Sequence, residues 1–200
     1  MKIYLILIFG LLAACNKFNG TLTKKSFKNL TTDSLLIKGV IARSTALNIP
    51  QIIKGVDSFE LRIWHGIIIA DPKILIDLKY QDSTWQLSET EYWFNSNPKV
   101  PIIDSSFTRS RLVPADISKL VDTINQFRLD VFPSQREIPN FEDRVVDGVS
   151  YIIEIATPNY YKVIAYGNPS SYDDDYDRKI TKFIAMLDQI GVASLNWKKK

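Results

Sequence analysis

Glu154 stands in the middle of an apolar, largely β-branched run, Val149 to Thr157. Burial disfavours an ionised carboxylate and raises its pKa, so an acid held there suits proton donation. A structural ion pair with Arg144, Lys162 or Arg178 is the alternative. Glycoside hydrolysis needs two such groups. Glu89 and Glu91, two residues apart, would share one face of a strand and are the other candidates. His65 is the only histidine and keeps phase with Phe59, Leu61 and Ile63. It is a general base, a ligand, or a sheet-end histidine with an ordinary hydrogen bond. With one cysteine and no second histidine, it has few partners for a metal site or an activated nucleophile.

The densest acidic cluster, Asp173-Asp174-Asp175-Tyr176-Asp177, does not match the Asp-x-Asp-x-Asp-Gly spacing of a calcium loop. It reads as the acidic start of a helix. The eight glycines are scattered and build no phosphate loop, and no Gly-x-Ser-x-Gly elbow occurs. No catalytic set, cofactor or metal is expected. The aromatic residues are more suggestive. Trp64, Trp93 and Tyr92, with Glu154, are the candidate binding residues. Exposed Trp and Tyr on a sheet face form binding surfaces for proteins or sugars, whereas under a helix they are core.

The elements that must position these groups follow from periodicity. Ser34 to Ile41 is apolar and β-branched and is expected to be a strand. Phe59, Leu61 and Ile63 alternate with Glu60, Arg62 and Trp64, the period of a half-buried strand. Ile74 to Tyr80 alternates likewise, and a third strand is expected from Trp85 to Phe94. Residues 95–113, with Pro98 and Pro101, read as loop. Pro114-Ala115-Asp116 opens a helix whose stripe is Ile117, Leu120, Val121, Ile124 and Phe127. Asp147-Gly148 between Val145-Val146 and Val149 signals a hairpin. Strands Val149–Thr157 and Tyr160–Tyr166 continue a second meander over 144–166. Ser171 is the expected N-cap of a last helix, with the stripe Ile180, Phe183, Ile184, Leu187 and Ile190 and a stop at Gly191. The fold class is α+β: an antiparallel sheet of two meanders with two amphipathic helices packed on one face.

The chain begins with Lys2, a short apolar run from Ile3 to Leu11, and Leu12-Ala13-Ala14-Cys15, whose cysteine is the only one present. The apolar run is too short for a membrane span, which needs about 20 residues. A charged start, a short apolar core and small residues before a cut site read as an export signal. A lone thiol has no disulfide partner within the chain. The segment resembles the lipobox of bacterial lipoproteins. That resemblance implies cleavage before Cys15 and lipidation of Cys15, hence a membrane partner through its acyl chains. Asn16 is not the aspartate that retains enteric lipoproteins in the inner membrane, and no acidic cluster of the surface-export kind follows it. The resemblance therefore implies the outer membrane, on its periplasmic face.

Residues 1–14 are thus the signal peptide, 15–33 the lipidated cysteine and a polar tether, and 34–200 a single α+β domain. The 46% hydrophobic content suffices for one core without disulfides. A net charge of +3 is too small to argue for nucleic acid. Lys198-Lys199-Lys200 reads as a solvated tail. Asp147-Gly148, Tyr151, Glu154, Tyr161-Lys162 and Tyr166-Gly167-Asn168-Pro169, followed by an amphipathic helix, resemble a pattern in uncharacterised lipoproteins of Bacteroidota over roughly 145–190. The resemblance implies a fold and carries no activity. The expected function is a non-enzymatic, membrane-anchored binding protein with a protein partner, of immunity or inhibitor type. A glycan- or peptidoglycan-acting hydrolase and a sugar-binding module are the alternatives.

Overall fold

The computed structural model describes residues 34–67, 70–82, 84–94, 103–112, 118–145 and 147–189. The signal peptide, Cys15 and the tether lie outside these residues. So do Pro114–Ile117, Ile190, Gly191, Trp197 and the Lys198–Lys200 tail.

The class is α+β: among the described residues there are one open, six-stranded antiparallel sheet and three α-helices. The strands are β1 (Phe59–Ile67), β2 (Ala70–Gln81), β3 (Thr84–Phe94), β4 (Ile103–Leu112), β5 (Val149–Thr157) and β6 (Tyr160–Gly167). The helices are α1 (Ser34–Ala46), α2 (Ser118–Phe127) and α3 (Asp175–Gln189). The sheet order is β4-β3-β2-β1-β5-β6, so β1 is central and β4 and β6 are the edges.

Strict alternation sorts the side chains onto two faces. Phe59, Leu61, Ile63, Ile76, Leu78, Ile153, Ile155 and Ile164 form one core with Ile124 and Phe127 of α2 and Ile180, Phe183 and Leu187 of α3. The other face carries Trp64, Leu75, Tyr92, Ala156, Tyr161 and Val163, which pack with Leu36 and Val40 of α1 and Ile52 of the following loop. β1 is therefore buried on both sides, not on one as its alternation of apolar and charged residues suggests.

Four expectations are corrected. Ser34–Ala46 is a helix, not a strand. Only Leu36, Val40 and Ser44 are buried along it, one residue every four, so its apolar residues serve a narrow helical stripe rather than a strand face. It ends in a Schellman motif: Asn48, at φ 53°, donates its amide to Thr45 O, and Ile49 N reaches back to Ser44 O. Residues 103–112, expected as loop, form β4, which pairs with β3 along its length. Its Ser- and Thr-rich composition hid it, because both its faces are exposed and no hydrophobic alternation is needed.

Asp147-Gly148 is not a hairpin turn, because residues 141–145 are irregular and the described chain enters a strand only at Val149. The side chain of Asn168 stands in for the missing strand, accepting from Val149 N at 2.9 Å and donating to Asp147 O at 3.2 Å. Gly148, at φ +138°, leaves the space that this side chain fills. The helix cap also moves. Asp174 Oδ1, not Ser171, accepts from the amides of Tyr176 and Asp177 at the start of α3, so the acidic cluster is a capping device.

The two sheet edges differ. Ser134 and Gln135 cover β6: Ser134 Oγ accepts from Ala165 N, and the Gln135 amide bonds both N and O of Gly167. β4 has no such cover among the described residues, and its residues 104–110 are exposed.

Candidate functional site

The strand register gathers a buried charged network on the α1 face. Arg62 lies directly across from Asp77 on β2 and Glu154 on β5, and Glu60 lies across from Lys79. Arg62 is 0% exposed. Its Nη1 donates to Pro50 O at 2.7 Å, its Nη2 lies 2.5 Å from Glu60 Oε1, and its Nε lies 3.6 Å from Asp77 Oδ2. Lys79 Nζ reaches Asp77 at 3.0 Å and Glu60 at 3.5 Å. The three carboxylates outnumber the two cations. Burial, aided by the charge of Asp77, pushes the Glu60 carboxyl up to about 7 against the pull of Arg62 and Lys79.

Three of the four candidate binding residues meet beside this network. Trp64 Nε1 donates to Glu154 Oε2 at 2.5 Å, and Tyr161 OH donates to Glu154 Oε1 at 2.8 Å. The Tyr92 ring packs edge-on to Trp64, with centroids 6.2 Å apart. Trp64, Tyr92 and Glu154 are only 2–3% exposed, so they are interior groups under α1. Trp93 alternates onto the opposite face and is half-buried.

Glu154 does not pair with any of its expected partners. Arg144 bonds Glu142, and Arg178 donates to the Asp173 carbonyl. Burial raises the Glu154 pKa, opposed by the hydrogen bonds from Trp64 and Tyr161. Val40, Ile41, Ser44 and residues 51–53 close over it and leave no room for a water molecule. Glu89 and Glu91 do share a face, but it is the opposite face of the sheet, and Glu91 meets Arg109 at 3.3 Å. Glu154 therefore cannot join either of them across one substrate.

His65 is buried and stacks on its cross-strand neighbour Tyr151, with centroids 5.0 Å apart. Burial, and then the charge of Lys73, lower its pKa to about 4, which keeps it neutral at physiological pH. Among the described residues neither ring nitrogen has a hydrogen-bond partner. No group of three or more His, Cys, Asp or Glu side chains among the described residues is placed to hold a metal ion.

A recess of about 190 Å³ opens on the α1 face, where β1 and β2 approach their hairpin. Trp64, Tyr92, Phe94 and Ile152 line it, with Arg43 of α1 and Lys73 of β2. Sequence reasoning singled out Trp64 and Tyr92 but missed Arg43, Lys73 and the Glu60–Arg62–Asp77 network. One signal was present: both charge signs recur at i and i+2 in β1 and in β2, which suits cross-strand pairing better than a solvated face.

No protein-family model matches the chain, and no curated protein sequence matches it.

Proposed function

We propose that the chain is a membrane-anchored envelope lipoprotein, lipidated at Cys15 and held on the periplasmic face of the outer membrane. Its domain is a non-enzymatic binding protein of immunity or inhibitor type. Anchoring rests on Leu12-Ala13-Ala14-Cys15. Among the described residues no helix is long and apolar enough to cross a membrane. In the finer architecture of this proposal, β1–β4 and β5–β6 are two meanders, with the amphipathic α2 and α3 on one face.

The observation that carries the binding role is the contrast between the sheet edges. Open edges template strand addition, and proteins ordinarily protect them. Among the described residues β6 is covered, whereas β4, Ile103–Leu112, is not. Phe107 is 55% exposed on it, with the Arg109 guanidinium 5.4 Å from its ring. An aromatic residue beside arginine is the composition of an interface anchor. A protein partner adding a strand to β4 would cover both. Binding is favoured over hydrolysis because Glu154 is sealed and separated from Glu89 and Glu91.

The test is affinity capture from native envelope extract with the full, detergent-solubilised chain. One stoichiometric partner is expected. The Phe107→Asp variant should lose it while its stability stays within about 0.5–1 kcal/mol of the parent, as expected for an exposed edge position. Equal recovery by the variant would reject β4 as the docking edge.

A further inference from the structure

We infer that two copies of the chain pair through β4, antiparallel about a two-fold axis at Thr108, and so join their sheets into one. This rests on β4 being the docking edge, as proposed above, and names a second copy as what occupies it until another partner competes. Length and composition come first. β4 runs ten residues, Ile103–Leu112, without proline, glycine or lysine. Side chains 104–110 are exposed, and among the described residues nothing covers the strand. Its irregularity against β3 lies at the Ile103 end, opposite Phe94, and the rest pairs regularly. Proline, lysine, a bulge, a short strand or a covering loop ordinarily keeps an open edge from pairing. Along most of β4 none of these devices is present.

The strand is complementary to itself. In a two-fold interface the same patch meets its own copy. With the axis at Thr108, Phe107 faces Arg109 of the second copy, and Arg109 faces its Phe107. On β3, Glu91 lies across from Phe107 and Glu89 across from Arg109. One face then carries the row Glu91 and Phe107 of one copy, Arg109 and Glu89 of the other, and the axis repeats it. Each arginine sits between an acid of its own chain and a ring of the other. Arg109 already meets Glu91 at 3.3 Å, which offsets the repulsion between the two arginines, and its guanidinium lies 5.4 Å from its own Phe107 ring. Pairing gives it a second ring and covers Phe107, which is 55% exposed.

The other face continues a ladder of hydroxyls. Ser88 meets Ser110, and Thr90 meets Thr108, each at 2.9 Å. Across the axis Thr108 faces Thr108, and Ser106 faces Ser110 of the second copy. A hydroxyl both donates and accepts, so the ladder extends between identical strands without a complementary residue type. An axis at Phe107 would instead set Arg109 against Ser105 and leave the arginines without their second ring. Held to one membrane surface by the proposed anchor, the copies meet at a raised effective concentration, so a weak edge contact suffices.

The experiment is disulfide trapping of the full chain in its native membrane. Cys15 is the only cysteine, so a thiol introduced on β4 reads one contact, and the parent chain controls for Cys15 itself. Thr108→Cys should link to its own copy under mild oxidation. Residues opposed across an antiparallel pair lie about 4.5–5.5 Å apart at Cα, within reach of a disulfide. Ser106 is also exposed but would lie four positions, about 13 Å, from its own copy. Ser106→Cys alone should therefore link at least about tenfold less, and co-expression with Ser110→Cys should restore the link. Phe107→Asp added to Thr108→Cys should lower the linked fraction at least about tenfold. No link from Thr108→Cys, equal linking by Ser106→Cys alone, or indifference to Phe107→Asp would each overturn the pairing. Partner capture reads the other proposal. A chain that never links, yet loses its partner on Phe107→Asp, refutes the second copy and keeps β4 as the docking edge. A Phe107→Asp chain that loses the link but keeps its partner does the reverse.

Discussion

Two side chains hold the Glu154 carboxylate, and each donor can be removed by substitution. Trp64→Phe deletes the indole donor and leaves Glu154 Oε2 buried without it. A loss of about 1–3 kcal/mol in urea unfolding is expected, since an orphaned buried acceptor bears its full desolvation penalty. In the double variant with Glu154→Gln the two losses should fall short of additivity. A loss under about 0.5 kcal/mol would show that the indole contact contributes little. Asp177 supplies a pH test. It is 0% exposed and accepts from Gln135 Nε2 at 2.6 Å. Burial, then its hydrogen bond and charge interaction with Asp174, raise its pKa from 3.8 to about 7. A folded-state pKa above the unfolded one means that its stabilising contribution is full below about pH 4 and is lost as pH rises through about 7. Asp177→Asn keeps the acceptor for Gln135 and replaces the acid proton with an amide donor. Its Tm should match wild type near pH 4 and exceed it at pH 8 by roughly 3–6 °C, for a gain on the order of 1–2 kcal/mol. Parallel melting profiles across that range would contradict the assignment.

Among the elements, the entry to β5 is the most exacting. A Cβ on Gly148 would lie 1.9 Å from Asn168 Oδ1, and the backbone there has φ +138°. Gly148→Ala should therefore destabilise by at least about 2 kcal/mol. Adding Asn168→Ala relieves the clash but not the backbone strain, and it removes the hydrogen bonds to Asp147 and Val149, so recovery should be partial. A Gly148→Ala chain as stable as wild type by urea unfolding would show that Asn168 can vacate that space. α1 acts at the same scale. Through Leu36 and Val40 it turns the second face of the sheet from a solvated surface into a core. It thereby buries Trp64 and Tyr92 and places Arg43 at the recess.

At the scale of the molecule, among the described residues, the sheet is covered on both faces at its centre and beside β6, and left open along β4. Under the proposed binding role, the open β4 side is where a partner strand would add, while the recess lies on the α1 face. The anchor is testable separately. Full-length Cys15→Ser should leave the membrane pellet for the soluble fraction, because the thiol is the acceptor for the acyl chains that hold a lipoprotein to a bilayer. Membrane retention of that variant would overturn the lipobox interpretation.

The chain's own periodicity determined much of this protein. The alternation in β1, β2, β3, β5 and β6 was legible because burial of a hydrophobic face imposes a period, and for the same reason the spacing of Ile124 and Phe127 in α2 and of Ile180, Phe183 and Leu187 in α3 marked them as core. That Glu89 and Glu91 share a strand face, and that α3 starts among acidic residues, were legible because strand alternation and helix capping are local. What carries no local period was not. β4 is exposed on both sides, α1 buries too narrow a stripe to distinguish a helix from a strand, and Asp147-Gly148 has the composition of a hairpin but uses a side chain 20 or so residues away. The candidate site divided likewise. Residue type marked Trp64, Tyr92 and Glu154, but only the tertiary structure decided that they are interior, that Trp93 faces away, and that Arg62, Asp77 and Arg43 join them. Cross-strand register and the docking of α1 are long-range choices, made by the summed burial of groups far apart in the chain, and no local stretch of sequence contains that sum.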